Sequence, residues 1–417
     1  MKILWFSNCK LSNKNNKLSG SWLYSMSELL TSKANITLTN ITVDRSNNIK
    51  TVQRVQIIQN FEEYILPNWK RDKNGFPNKR FIEKIKEICI KTNPDLIHVW
   101  GIENYFCNLI PGLNLSYPLL LEIQGLREPC ANVFYGDLSF QDTLSCLGVR
   151  EILFPTKKTI YAAKKGMQKL IKNDKLALKK YQYISTQSKW VRDYIRFNNA
   201  NAHIFQTGMS IRSPFWNVNW SYPENGQKNF YCSAAGPISY KSIQTAIKAL
   251  FHVKSLYKDC RLFIIGDFKK KNWIHQPGYL SYLYKLIQKL NLTNNVIFTG
   301  SLYADEIVDI MQKCIAMIQT SYVESYSLAL VEAQAVGVPA IISYAGAMPE
   351  LAENRKSGLF FSPGDYISCA SHMIELIENK NLALSLSREE QSTAQKRNNN
   401  ESVLEIQLQI YKTILKR

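Results

Sequence analysis

The sequence predicts an α/β protein made of two doubly wound domains, each built on a parallel sheet. Three observations carry this. Short apolar runs alternate along the chain with longer stretches of helical period. The runs are apolar nearly throughout, as strands covered on both faces are. The alternation lapses once, between about Pro214 and Lys228, and then restarts. At 417 residues, with 45% hydrophobic and 12% aromatic side chains, the chain has the length for two cores and the material to fill them.

In the first half, KILWFS (2–7) reads as a strand and Ser21 to Leu30 as a helix. VQRVQII reads as a strand, and FIEKIKEICIKT as an amphipathic helix stopped by Asn93-Pro94. DLIHVWG and PLLLEIQG follow as two further strands. The lapse, SPFWNVNWSYPENGQK, is rich in Pro, Asn, Ser and Trp and reads as a connection between domains. After it come NFYCSAAG, RLFIIGD, NVIFTG, IAMIQTS and VPAIIS as strands. Between them SIQTAIKALFHVKSLY, YLSYLYKLIQKLN and ADEIVDIMQKC read as helices, and VLEIQLQIYKTILKR is a last amphipathic helix. The expected domains are 1–214 and 229–395, with 396–417 as a C-terminal helix.

The charge balance is the main compositional anomaly. Fifty-two Lys and Arg against 33 Asp and Glu give a net charge of +19, which draws the chain to something anionic: nucleic acid, an acidic membrane surface or phosphorylated small molecules. Nucleic acid is disfavoured, because no recognisable reading motif and no patch of aromatics interleaved with basic residues appears. The nine cysteines are scattered, odd in number and never spaced C-x-x-C, which argues against a disulfide framework and a zinc site. The start MKILWFSN is too short an apolar run for a signal peptide, and no stretch approaches a membrane span. A reducing, cytoplasmic setting is expected.

The run SYVESYSLALVEAQAVGVPAIIS raises the functional question. Glu324 and Glu332 stand with seven residues between them in a small, apolar stretch. IAMIQTS and VPAIIS being strands, a loop and a helix starting near Tyr326 to Leu328 must join them. Glu324 then lies at the C-terminal edge of a parallel strand, where open α/β sheets bind ligands, and Glu332 about one turn into the helix. The N–H groups of Ser327, Leu328 and Ala329 at the helix start suit a diphosphate. Carboxylates flanking a diphosphate cannot bind it. They suit the neutral hydroxyl pairs of a sugar on one side and a ribose on the other.

The segment from Glu324 to Pro339, continued by SYAGAMPEL, resembles the E-x7-E signature of retaining glycosyltransferases of the GT-B fold, especially glycosyltransferase family 4. GSWLYSMSELL, NPDLIHVWG, LFIIGD and NVIFTGSL resemble other parts of that family in the same order. The resemblance implies two Rossmann-like domains facing a cleft, with the nucleotide on the second domain and the acceptor on the first. It also implies that the final helix crosses back to the first domain. It makes Glu324 the group that contacts the donor sugar's hydroxyls, with Gln124 the second catalytic position. It makes Glu332 the ribose contact, Lys241 the diphosphate lysine and the backbone at Ser327 and Leu328 the phosphate cradle. Gly20 and Ser21 would form the N-terminal phosphate loop.

Three departures stand out. Gly236 is followed by Pro237 where the family has an arginine soon after, so Arg212 is the candidate substitute cation. Gln124 stands where a histidine is common, and Ser327 where glycine is common. The implied reaction transfers a sugar with retention to a glycan or lipid-linked acceptor, in cell-surface polysaccharide synthesis. The leaving diphosphate accepts the proton, and no cofactor is expected. With no D-x-D pair and no G-x4-G-K, neither is a metal. An epimerase, a degenerate partner subunit and a non-enzymatic nucleic-acid or membrane-binding protein are the alternatives. His98, inside an apolar strand, reads as a packed core or cleft histidine. Thr156 to Lys180 carries nine lysines, with Ile160, Met167, Leu170, Ile171 and Leu178 among them. The Lys157–Lys180 region reads either as a helix meeting anionic lipid on the inner face of the cell membrane or as an ordinary solvated helix.

Overall fold

The computed structural model describes residues 1–12, 21–46, 48–69, 77–224, 226–272 and 275–416. It divides into two compact units. Unit 1 comprises residues 1–126, 172–210 and 400–417, and unit 2 comprises 127–171 and 211–399. Two features of this division differ from the sequence expectation. Residues 127–171 leave the N-terminal half to join unit 2, and the connection occurs at 210/211, before the Pro- and Trp-rich stretch.

Unit 1 contains eight strands: β1 Lys2–Phe6, β2 Thr37–Asp44, β3 Gln53–Ile58, β4 Phe61–Pro67, β5 Leu96–Trp100, β6 Leu119–Ile123, β7 Tyr183–Thr186 and β8 His203–Gln206. They lie in the order β3-β4-β2-β1-β5-β6-β7-β8 and pair in parallel, except the edge hairpin β3–β4. The antiparallel hairpin departs from the uniformly parallel reading, since VQRVQII turns back directly onto FEEYILP. Strand period puts Leu4 and Phe6 on one face, packed with Phe81, Ile85 and Tyr181, and Ile3 and Trp5 on the other. There Leu23, Met26 and Leu30 of helix Ser21–Lys33 meet Val403, Tyr411 and Ile414 of helix Asn400–Leu415.

Unit 2 contains β9 Asn229–Ser233, β10 Arg261–Ile265, β11 Val296–Gly300, β12 Ala316–Gln319, β13 Ala340–Ser343 and β14 Leu359–Phe361, all parallel, in the order β11-β10-β9-β12-β13-β14. From β9 the chain winds one way through β10 and β11, and from β12 it winds the other way. The order therefore reverses between β9 and β12, and the loops leaving these two strands diverge over a crevice. Helices Ile243–Leu256, Gly278–Lys289, Leu328–Val336 and Tyr366–Glu378 cover the sheet's faces, contributing Leu250, Leu283, Val331 and Met373 to the core.

None of the nine cysteines forms a disulfide. Among the described residues, no helix is long and apolar enough to cross a membrane.

Candidate active site

The crevice at the β9/β12 reversal is where the sequence-predicted residues of unit 2 come together. The chain leaving β9 makes a helical turn at Ser239–Lys241 and enters helix Ile243–Leu256; the chain leaving β12 carries Glu324. Two bonds stitch the loops. The Thr320 hydroxyl donates to the Lys241 carbonyl at 2.8 Å, and the Tyr322 N–H donates to the Tyr240 carbonyl at 2.8 Å. With the backbones so fixed, Lys241 Nζ stands 2.6 Å from Glu324 Oε1. The same oxygen accepts from Gln319 Nε2 at 2.8 Å and Ser321 Oγ at 2.7 Å. Glu324 is 7% exposed, so these three donors replace the water it gives up.

Glu324 is also gripped through its backbone. Its carbonyl accepts the Ala347 N–H at 2.9 Å, and Gly346 sits against it at φ +55°, where a Cβ would collide with the Glu324 backbone oxygen. A glycine is required there by both the dihedral and the contact.

Three residues beyond Glu324, Ser327 caps helix Leu328–Val336: its hydroxyl accepts the Leu330 N–H at 3.3 Å, and Gly337 at φ +85° ends the helix. The N–H groups of Leu328 and Ala329 in this first turn have no intrahelical acceptor, and the dipole adds partial positive charge there. Glu332 lies one turn in and is buried. Its Oε1 accepts from Arg212 Nε at 3.1 Å and Nη2 at 2.7 Å, and the guanidinium also covers the Phe215 ring, 4.8 Å from its centroid. Burial pushes the Glu332 carboxyl above its ordinary range, and Arg212 opposes that shift.

Glu324, Glu332, Lys241, Arg212, Ser327 and Leu328 are thus neighbours within unit 2. Each glutamate holds one of the two cations that the sequence assigned to a diphosphate. Gln124 and Ser21 belong to unit 1. Gln124 is half-buried just after β6, and Ser21 opens helix Ser21–Lys33. Gly20 lies outside the described residues.

The sequence reading missed three supporting residues. Gln319 and Ser321 hold Glu324, and their signal was available: polar side chains where the apolar strand IAMIQTS runs out. Asp137 is the third. It accepts from Ser242 Oγ and Gln244 Nε2, each at 2.5 Å, and from Lys248 Nζ at 3.1 Å, and so ties segment 127–171 to the start of helix Ile243–Leu256. Nothing near Asp137 in the sequence announces this, because its partners are a hundred residues away. Among the described residues, no group of three or more His, Cys, Asp and Glu side chains could hold a metal ion.

Residues 215–393, which make up most of unit 2 but leave out its 127–171 segment, match the family described as glycosyl transferases group 1. Over those residues the chain is similar to group 1 glycosyl transferases. N-acetyl-alpha-D-glucosaminyl L-malate synthase of Bacillus anthracis is 27% identical over 142 residues, an alignment that spans 34% of this chain and 34% of that protein. In structure, the resemblance extends over both units. Sucrose-phosphate synthase from Thermosynechococcus elongatus superposes with a TM-score of 0.73 at 15% identity, covering 100% of this chain and 99% of that one. The Anabaena protein HepE, in complex with UDP-glucose, gives 0.67 at 16% identity, with 100% of both chains covered. The fold is therefore that of GT-B proteins, and the matched segment lies in the second of its two Rossmann-like domains.

Proposed function

We propose that the protein is a retaining glycosyltransferase of family 4 type, moving a sugar from a nucleotide-sugar donor to a glycan or lipid-linked acceptor in cell-surface polysaccharide synthesis. The observation that carries this reading is the Lys241–Glu324 pair at the β9/β12 crevice, with the Arg212–Glu332 pair on the helix that follows the Glu324 loop. Two buried carboxylates, each beside a cation and flanking a helix N-terminus, suit a ligand in which a diphosphate separates two hydroxyl-rich rings. The likeness to HepE with UDP-glucose supports a nucleotide-sugar donor.

In this reading Glu324 accepts hydroxyls of the transferred sugar and Glu332 those of the ribose. Lys241 and the first turn of helix Leu328–Val336 stabilise negative charge as the diphosphate leaves. The leaving diphosphate takes the acceptor's proton on the face it vacates, so the configuration is retained and no protein nucleophile is needed. Gln124, Gly20 and Ser21 are assigned to the reacting sugar and phosphates through the family resemblance, and the reaction is assigned without metal. A lipid-linked acceptor would bring the protein to the inner face of the cell membrane.

A thermal-shift screen against UDP, GDP, ADP and CMP, without metal, tests this reading. A nucleotide at a hundred times its dissociation constant stabilises the native state by about 2.7 kcal/mol. One of the four is expected to raise the melting temperature, and Glu332→Gln, which keeps the side-chain volume beside Arg212, to lose most of that shift. No response to any nucleotide, or an equal response from the variant, would overturn the assignment. Isomerisation of the sugar nucleotide without an acceptor would mark an epimerase instead.

A further inference from the structure

Folding does not leave apolar side chains in water evenly over this chain. Eight of the large apolar residues that stand exposed among the described residues fall between 140 and 170, the most open being Phe140 (72%), Ile152 (69%), Leu153 (57%) and Phe154 (49%). The stretch lies within unit 2 and folds as consecutive helices Phe140–Ser145, Val149–Leu153 and Pro155–Lys158, followed by the start of Ile160–Leu178.

The exposure is built in. Glu151, next to Ile152, is buried and accepts the N–H of Gly148 at 3.1 Å and of Gly278 at 2.9 Å, which pins the Val149–Leu153 helix to unit 2. The Thr143 hydroxyl bonds the Tyr161 hydroxyl at 2.6 Å, joining the first of these helices to the last. The fold therefore holds Ile152, Leu153 and Phe154 outward on an anchored support. Scattered exposed apolar residues are ordinary, but a contiguous group of this kind marks a surface that meets something.

The charge around the group says what. From Ile152 to Ile171 there are five lysines and no acid, and Lys157, Lys158, Lys165 and Lys169 are exposed. Protein–protein interfaces enrich aromatics and arginine but are depleted in lysine. Apolar and aromatic side chains edged by lysines, whose long stems let the ammonium groups reach outward, are the composition of a surface that lies in a bilayer's headgroup region.

We propose that the 140–170 face docks on an acidic lipid bilayer, the Ile152–Phe154 tip and Phe140 entering among the headgroups and the lysines meeting lipid charge. This goes beyond the transfer reaction and is independent of the nucleotide, so the two can fail separately.

Co-sedimentation of the full chain with vesicles of phosphatidylcholine alone, or mixed with phosphatidylglycerol, tests it. The wild type is expected to sediment with the acidic vesicles only. Each exposed lysine changed to serine should weaken binding about fivefold. The triple change Phe140→Ser, Ile152→Ser and Phe154→Ser should weaken it by at least about tenfold, with every lysine kept. All these positions are exposed, so melting temperature and nucleotide response should match the wild type. A wild type that stays in the supernatant with acidic vesicles overturns the proposal. So does a triple variant that binds as tightly as the wild type, or one that only converts a self-associated chain to a monomer on size exclusion.

Discussion

A costly buried polar network lies within the sheet of unit 1, around Glu122. Glu122 on β6 is wholly buried and accepts hydrogen bonds from Ser185 and Gln187; His98 on β5 stands with Nε2 3.9 Å away, and its Nδ1 is 2.9 Å from the Tyr411 hydroxyl. His98 is thus a core histidine. Burial pushes the Glu122 carboxyl from 4.5 up to about 8, and it pushes the His98 imidazole well below 6.5. The two groups act on stability with opposite sign. Between pH 4.5 and 8 the native state holds the Glu122 proton that the unfolded chain gives up, so stability falls by about 1.4 kcal/mol per pH unit. Below pH 6.5 the unfolded chain instead takes up a proton that native His98 refuses, which offsets that slope. Below pH 6.5 the two slopes cancel for as long as native His98 stays neutral, and from pH 6.5 to about 8 the pair's net contribution declines. Glu122→Gln should remove the decline, so its stability relative to wild type should rise by about 2 kcal/mol between pH 6.5 and 8. Denaturant midpoints at both pH values measure this; a constant gap would mean that Glu122 is ionised throughout. An acid inside the apolar strand PLLLEIQG was a visible signal, but its meaning depends on strand neighbours that only the register supplies.

At the scale of elements, helix Leu328–Val336 and the loops at its head decide whether the two glutamates are presented. Ser327→Ala removes the N-cap and should cost about 1 kcal/mol of stability, with nucleotide response largely kept. Gly346→Ala should do more. It places a side chain at φ +55° and against the Glu324 backbone, so the loop must shift, and at least about 1 kcal/mol of strain joins the displacement of the carboxylate. Chemical denaturation and nucleotide titration of both variants separate the effects. Should Gly346→Ala bind nucleotide as the wild type does, Glu324 is not held by this contact. This part of the site was legible in the sequence because strand, loop and helix follow one another over twenty residues. The elements of 127–158 were not, because helices of four to six residues are too short to show a period. Strands β7 (YIST) and β8 (HIFQ) were lost because polar residues break up their apolar runs, unlike the equally short β12 and β13, and the pairing of β3 with β4 was lost because no apolar pattern encodes it.

For the whole molecule, the chain's path matters more than any one contact. It enters unit 2 at residue 127, returns to unit 1 at 172, leaves again at 211 and comes back at 400. The sequence shows that 403–417 is an amphipathic helix, and the family resemblance, not the residue pattern, assigns it to the first domain; in the structure residues 400–417 belong to unit 1. Val403, Leu404, Ile410, Tyr411 and Ile414 are all buried there, and the Tyr411 hydroxyl accepts from Trp5 Nε1 at 3.2 Å. At roughly 2 kcal/mol for each large apolar side chain, this helix contributes about 10 kcal/mol, as much as the whole net stability of an ordinary domain. Ending the chain at residue 399 would expose Trp5 and leave His98 Nδ1 without its hydroxyl. Unit 2 keeps every residue of its core, since its last segment stops at 399. Limited trypsin digestion with mass spectrometry should therefore show cuts appearing throughout unit 1 of the shortened chain, while the 211–399 segment survives as it does in the full chain. Calorimetry should show the transition belonging to unit 1 lost and the other kept. A shortened chain that resists trypsin like the full one would mean that the first sheet is closed without its last helix.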